Sequence, residues 1–116
     1  MVEISEAQLK QGIEEWLQYK QNAGKLWFTR LNSGSAFVKK GDRFHKIQLC
    51  EKGTADLLVL KRREFVHRRL RTIFLEIKSA TGKQHPEQKA FQELIEAQGA
   101  EYWVVRSVEE VISIIG

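Results

Sequence analysis

Cysteine and proline are almost missing from this chain: Cys50 and Pro86 are the single examples of each among 116 residues. One cysteine excludes an intrachain disulfide and a cysteine-built zinc site, and His45 and His67 stand apart from any second metal-ligating cluster. No apolar run approaches the ~20 residues that a membrane helix needs, so no membrane association is expected. No basic-then-apolar leader follows Met1, so the expected location is cytoplasmic, the host cytoplasm if the source is viral. Internal repeats, low-complexity tracts and linkers are also absent. The length suits one compact domain, taken as residues 1–116, and is too short for two.

What is present is acid where a core strand should carry none. Residues 54–60 read Thr54-Ala55-Asp56-Leu57-Leu58-Val59-Leu60, and residues 73–78 read Ile73-Phe74-Leu75-Glu76-Ile77-Lys78. Nearly continuous apolar strands are buried on both faces of a sheet. A carboxylate there is costly unless a cation, a proton or a partner compensates it. Pairing of the two strands as an antiparallel hairpin would bring Asp56 near Glu76 at one end. Glu76 and Lys78 share a face because strand side chains repeat every second residue. The simplest reading is a divalent-metal site with a lysine beside it. The structural alternatives are a turn hydrogen bond for Asp56 and a plain ion pair for Glu76 and Lys78.

Between these strands lie Lys61, Arg62, Arg63, His67, Arg68, Arg69 and Arg71, with Glu64 as the one acid among them. Such a stretch is either a solvated hairpin tip or a phosphate-contacting surface, and the mutual repulsion of its charges favours an anionic partner. The net charge of +4 leans mildly the same way. Arg30, Asn32 and Ser33 around the first turn, and Lys83 and His85 before a later helix, join the candidate phosphate contacts.

The pattern along the chain predicts a helix over 5–19, capped by Ser5 and carrying Leu9, Ile13, Trp16 and Leu17. Strands follow at 26–31, 36–38 and 44–49, then the two acid-bearing strands at 54–60 and 72–78. His85-Pro86 opens a helix whose inner face holds Gln88, Phe91, Leu94 and Ile95, ending at Gly99. A strand over 102–106 and a last helix opened by a Ser107–Glu110 capping box complete the chain. A helix between two strands implies a crossover and parallel pairing. Trp16, Trp27 and Trp103 read as core residues.

Phosphodiester hydrolysis needs a hard cation held by oxygen ligands, and a nearby lysine can stabilise the developing charge. Asp, a strand-length interval and Glu-x-Lys supply those parts, but that pattern alone is common. The wider context is more specific. Gly53-Thr54-Ala55-Asp56, then Phe74-Leu75-Glu76-Ile77-Lys78-Ser79, then Gly82 and His85-Pro86-Glu87-Gln88-Lys89, and finally Tyr102-Trp103-Val104-Val105-Arg106-Ser107 together resemble the VRR-NUC family. These are the virus-type replication-repair nucleases of the PD-(D/E)XK superfamily, and the resemblance runs from about Glu6 to the end, as in a minimal stand-alone domain.

The resemblance implies a restriction-endonuclease-like α/β fold, with a mixed central sheet flanked by helices. It implies Mg²⁺ or Mn²⁺ bound by Asp56, Glu76 and the backbone carbonyl of Ile77, with Lys78 as the catalytic lysine. Gln88 matches a glutamine that reaches the site from the following helix. Glu6 matches a first-helix glutamate able to complete the metal shell, with Glu14 and Glu15 as rivals. Gln88 could instead be helix surface, and Glu6 could simply favour the helix dipole. Ala55 departs from the proline that the family often has before the aspartate. The expected activity is cleavage of branched DNA, Holliday-junction resolvase-like, by a homodimer, because one small site cannot cut two strands at once. The competing readings are a catalytically silent DNA-binding module and a nuclease acting on flaps or ends.

Overall fold

The computed structural model describes residues 4–63 and 69–116. The first helix, α1 (Glu6–Asn22), begins at a reciprocal cap. Ser5 Oγ accepts from Gln8 N at 3.1 Å, and Gln8 Oε1 accepts from Ser5 N at 3.0 Å. Leu9, Ile13 and Leu17 form its buried stripe. The helix continues three residues past the expected stop. It gives way at Gly24, whose φ of 74° is the left-handed conformation that ends the turn.

The main sheet contains β1 (Trp27–Arg30), β4 (Leu57–Arg62), β5 (Leu70–Ile77) and β6 (Glu101–Val105), in the order β1-β4-β5-β6. Strand β4 is antiparallel to both of its neighbours, β1 and β5, and β6 runs parallel to β5. The crossover between β5 and β6 is α2 (Pro86–Ala97), and α3 (Val108–Ile115) closes the chain. The protein is thus a mixed α/β domain with helices flanking a mixed sheet.

One sheet face carries Leu57, Val59, Ile73, Leu75 and Ile77, all buried against α1 and α3 through Ile13, Leu17, Val111 and Ile115. The other face carries Phe74, whose ring meets Phe91 of α2 edge-on at 5.2 Å, with Tyr102 beyond it. This second face is only partly covered, so the apolar strands are not equally buried on both sides.

Several expectations need correction. The residues expected as strands at 36–38 and 44–49 do not join the main sheet. They form a separate two-stranded hairpin, β2 (Ser35–Lys40) and β3 (Arg43–Gln48). Leu94 is not on the inner face of α2; its side chain is exposed, because the contact stripe is narrow and passes through Phe91. Trp27 and Trp103 are nearly half exposed, since β1 and β6 are the edges of the sheet, and only Trp16 packs on the core. Ser107 Oγ does accept from Glu110 N. The Glu110 carboxylate reaches one residue further back, to Arg106 N at 3.0 Å, so the box is not reciprocal. Among the described residues no helix is long and apolar enough to cross a membrane.

Candidate active site

Register brings the two acids together. Leu57 pairs with Leu75, and Asp56, one residue before β4, donates its N–H to Leu75 O at 3.1 Å. Asp56 O also accepts from Leu31 N at 2.8 Å, so backbone bonds on both sides hold the residue while its carboxylate turns toward Ile77. Oδ2 accepts from Ile77 N at 2.7 Å, and Oδ1 lies 3.1 Å from Lys10 Nζ of α1.

Glu76 is 2% exposed. Its Oε1 accepts from Gln88 Nε2 and lies 3.8 Å from Lys78 Nζ, while Oε2 is buried with no hydrogen-bond partner. Burial first, then the neighbouring Asp56 carboxylate, push the Glu76 pKa up to about 8, against the pull of Lys78 and Lys10. A proton held on Glu76 relieves the repulsion between two neighbouring carboxylates that cannot both ionise cheaply.

Gln88 has two tasks. It occupies the third position of α2, where its Oε1 accepts from His85 N at 2.8 Å. With the carbonyl oxygen engaged at the helix start, the amide nitrogen is the end left to face Glu76. Gly53 sets the approach of the preceding loop. Its φ is 98°, and a Cβ there would stand 2.5 Å from Glu87 O. The resulting cleft, about 410 Å³, is lined by Ser33, Lys52, Asp56, Glu76, His85 and Gln88, among others. A second cleft, about 560 Å³, opens on the α1 side of Asp56 and includes Lys10, Asn32 and Ile77.

The structure therefore gathers Asp56, Glu76, Ile77, Lys78 and Gln88. It does not bring Glu6 in as a third carboxylate. Lys10 stands between, 3.8 Å from Glu6 and 3.1 Å from Asp56. Among the described residues no group of three or more His, Cys, Asp or Glu could hold a metal ion. Burial lowers the Lys10 pKa, but Asp56, Glu6 and Glu76 together outweigh it and raise the net value. Glu14 is held by Arg30 through both carboxylate oxygens, and Glu15 accepts from Gln11. Lys10 was missed by the sequence reading. Its signal was the four-residue step from Glu6, which puts both on one helix face. Lys52, paired with Glu87 at 3.4 Å on the rim, was missed as well.

The candidate phosphate contacts divide. Asn32, Ser33 and His85 line the clefts, whereas Lys83 is exposed and lines neither. Arg30 is committed to Glu14. Arg71 holds Glu101 bidentately at 2.8 Å and donates to Ile114 O at the end of α3. Lys61 also donates there, to Ile115 O and Gly116 O. The carbonyls exposed at a helix C-terminus account for cations at these two positions without an external anion. Arg62 and Arg63 face a separate cleft with Lys20 and Lys25, and Arg69 is exposed at the same end of the hairpin. Arg68, with Glu64 and His67, lies outside the described residues. No family model and no curated protein matches the sequence.

Proposed function

We propose that the chain is a metal-dependent DNA endonuclease of the VRR-NUC kind, with a restriction-endonuclease-like fold. The observation that carries the reading is a buried carboxylate, Glu76, set against a second carboxylate, Asp56, with Lys78 on the same strand face and Gln88 fixing one oxygen. A structural ion pair has no need of the second acid, whose charge opposes ionisation of the first. The unpartnered Glu76 Oε2 and the paired carboxylates fit a hard divalent cation, which takes oxygen ligands. Asp56, Glu76 and the Ile77 carbonyl would hold it. Bound Mg²⁺ or Mn²⁺ would polarise the phosphoryl oxygen and lower the pKa of a bound water.

The remaining work belongs to the chain itself. Lys78 places a positive charge beside the site where phosphoryl charge develops. Gln88 keeps Glu76 from rotating, and Ile77 N–H anchors Asp56. Ser33, His85 and Lys52 line the cleft where a phosphate backbone would pass. One site per 13.5 kDa chain cuts one strand at a time, so we also propose a homodimer for branched DNA.

A second reading, the silent binding module, draws on Lys10. Its ammonium already neutralises Asp56, as in a purely structural pair. The deciding experiment is cleavage of a labelled four-way junction, flap, duplex and single strand with Mg²⁺ or Mn²⁺, beside Glu76→Ala and Lys78→Ala. Metal-dependent cutting lost in both variants is the expected result. Binding that is equal in chelator, with no product from any substrate, would leave only the module.

A further inference from the structure

The β2–β3 hairpin is the part of the chain that the carboxylate site does not explain. Neither strand buries a residue, and Phe37 and Phe44 are 69% and 68% exposed. The strands pair with each other and with no strand of the main sheet. An isolated two-stranded hairpin is marginal in water, and exposed rings do nothing to stabilise it.

Its register orders the side chains. Phe37 pairs with Lys46, and Lys39 with Phe44, so rings and ammonium groups alternate across one face. On the other face Lys40 stands opposite Arg43, a like-charge pair that is unfavourable without an anion. Asp42 is the one acid in the hairpin, and no ion pair among the described residues engages Lys39, Lys40, Arg43 or Lys46.

Position adds a further constraint. Strand β1 is antiparallel to β4, with Arg30 beside Leu57, so the chain leaves the sheet at the Asp56 end. It returns through Cys50, whose N–H donates to Asn32 O at 2.9 Å, and Ser33 at the stem lines the carboxylate cleft. Six residues of strand span about 20 Å. The radius of gyration is 15.9 Å, whereas a compact chain of this length has about 13 Å. The hairpin is an arm rooted at the site.

We propose that this arm binds single-stranded DNA next to the scissile position, stacking unpaired bases on Phe37 and Phe44 while Lys39 and Lys46 on the same face, and Lys40 and Arg43 at the turn end, follow the phosphates. Alternating rings and cations are what a sequence-tolerant single-strand platform requires, and a closed duplex offers no base faces to it. The charge opposes docking of one arm on another, since two such arms repel. The proposal rests on the nuclease reading only in making this strand the substrate. It favours flaps, gaps and opened junctions over intact duplex.

The test is fluorescence anisotropy in chelator, where no cutting occurs, with oligothymidylate of about 15 nucleotides and a blunt duplex as probes. Phe37→Ala with Phe44→Ala is expected to weaken oligothymidylate binding at least about fivefold per ring, to spare the duplex and to leave the salt dependence unchanged. Replacing the four cations with glutamine is expected to reduce the single-strand salt slope by up to about 3. Both variants alter only exposed side chains, and an unchanged melting temperature checks the fold. Unaltered affinity of the ring variant overturns the proposal, as does an equal loss on duplex. A ring variant that turns a dimer into a monomer at unchanged affinity also overturns it, by making the face a self-association surface. Ring-dependent binding without cleavage would sink the nuclease and leave the arm standing. Cleavage of single-strand substrates indifferent to the rings would do the reverse.

Discussion

Glu76→Gln is expected to make the protein more stable at neutral pH while abolishing cleavage. In the unfolded chain Glu76 ionises near 4.5, whereas in the fold its pKa lies at about 8. Between those values the folded state holds a proton that the unfolded state has released. Stability therefore falls as pH rises across that window, with the loss complete once pH passes the folded pKa. Each unit of separation is about 1.4 kcal/mol, so the interval amounts to about 5 kcal/mol in full and about 3 kcal/mol by pH 7. The amide has nearly the same volume and no titration, so that pH-dependent term is absent from the variant.

The assay is urea unfolding at pH 5, 6, 7 and 8 in chelator, for both proteins, at matched ionic strength. The wild-type curve is expected to decline relative to the variant by up to about 1.4 kcal/mol per pH unit. The comparison between the two proteins isolates this one group from every other titration. Parallel curves would falsify the protonated-pair description of Asp56 and Glu76. Gln88 would then be an ordinary helix cap resting beside an ordinary carboxylate.

Two further perturbations probe the shell around that pair. Lys10→Met removes the ammonium that stands 3.1 Å from Asp56, so Mn²⁺ binding measured by calorimetry is expected to tighten several-fold; weaker binding would show that Lys10 supports the cation site rather than competing for it. Gly53→Ala combines a φ of 98° with a Cβ that would stand 2.5 Å from Glu87 O. It is expected to cost about 2–4 kcal/mol in thermal or urea unfolding and to lower cleavage by displacing the start of α2, and an unchanged melting temperature refutes this.

Much of the site was legible because it depends on local spacing. Alternation placed Glu76 and Lys78 on one face, and the apolar runs on either side of the basic stretch implied the hairpin that sets Asp56 against Glu76. The pattern His85-Pro86 fixed the start of α2, and with it the position of Gln88. What stayed hidden depends on contacts between distant segments. The cations of the basic stretch looked unpaired in sequence, yet Arg71 and Lys61 end on the carbonyls of α3, more than forty residues away. Nor does alternation reveal whether a strand joins a sheet. Residues 44–49 alternate as a half-buried strand would, but β3 buries none of them.

The dual hydrogen bonding of Gln88 explains why the legible part of the site coincides with a helix start. An N-terminal turn leaves backbone N–H groups without partners, and a side-chain acceptor at the third position satisfies the one at the cap. Glutamate there would meet that need equally well, but it would bring a third carboxylate, with no amide donor, against Glu76 and Asp56. Glutamine satisfies both demands, because its oxygen serves the helix and its nitrogen serves the carboxylate. The residue that begins α2 thus also holds Glu76. The crossover helix and the buried acid are consequently fixed by one side chain, and loosening either should loosen both.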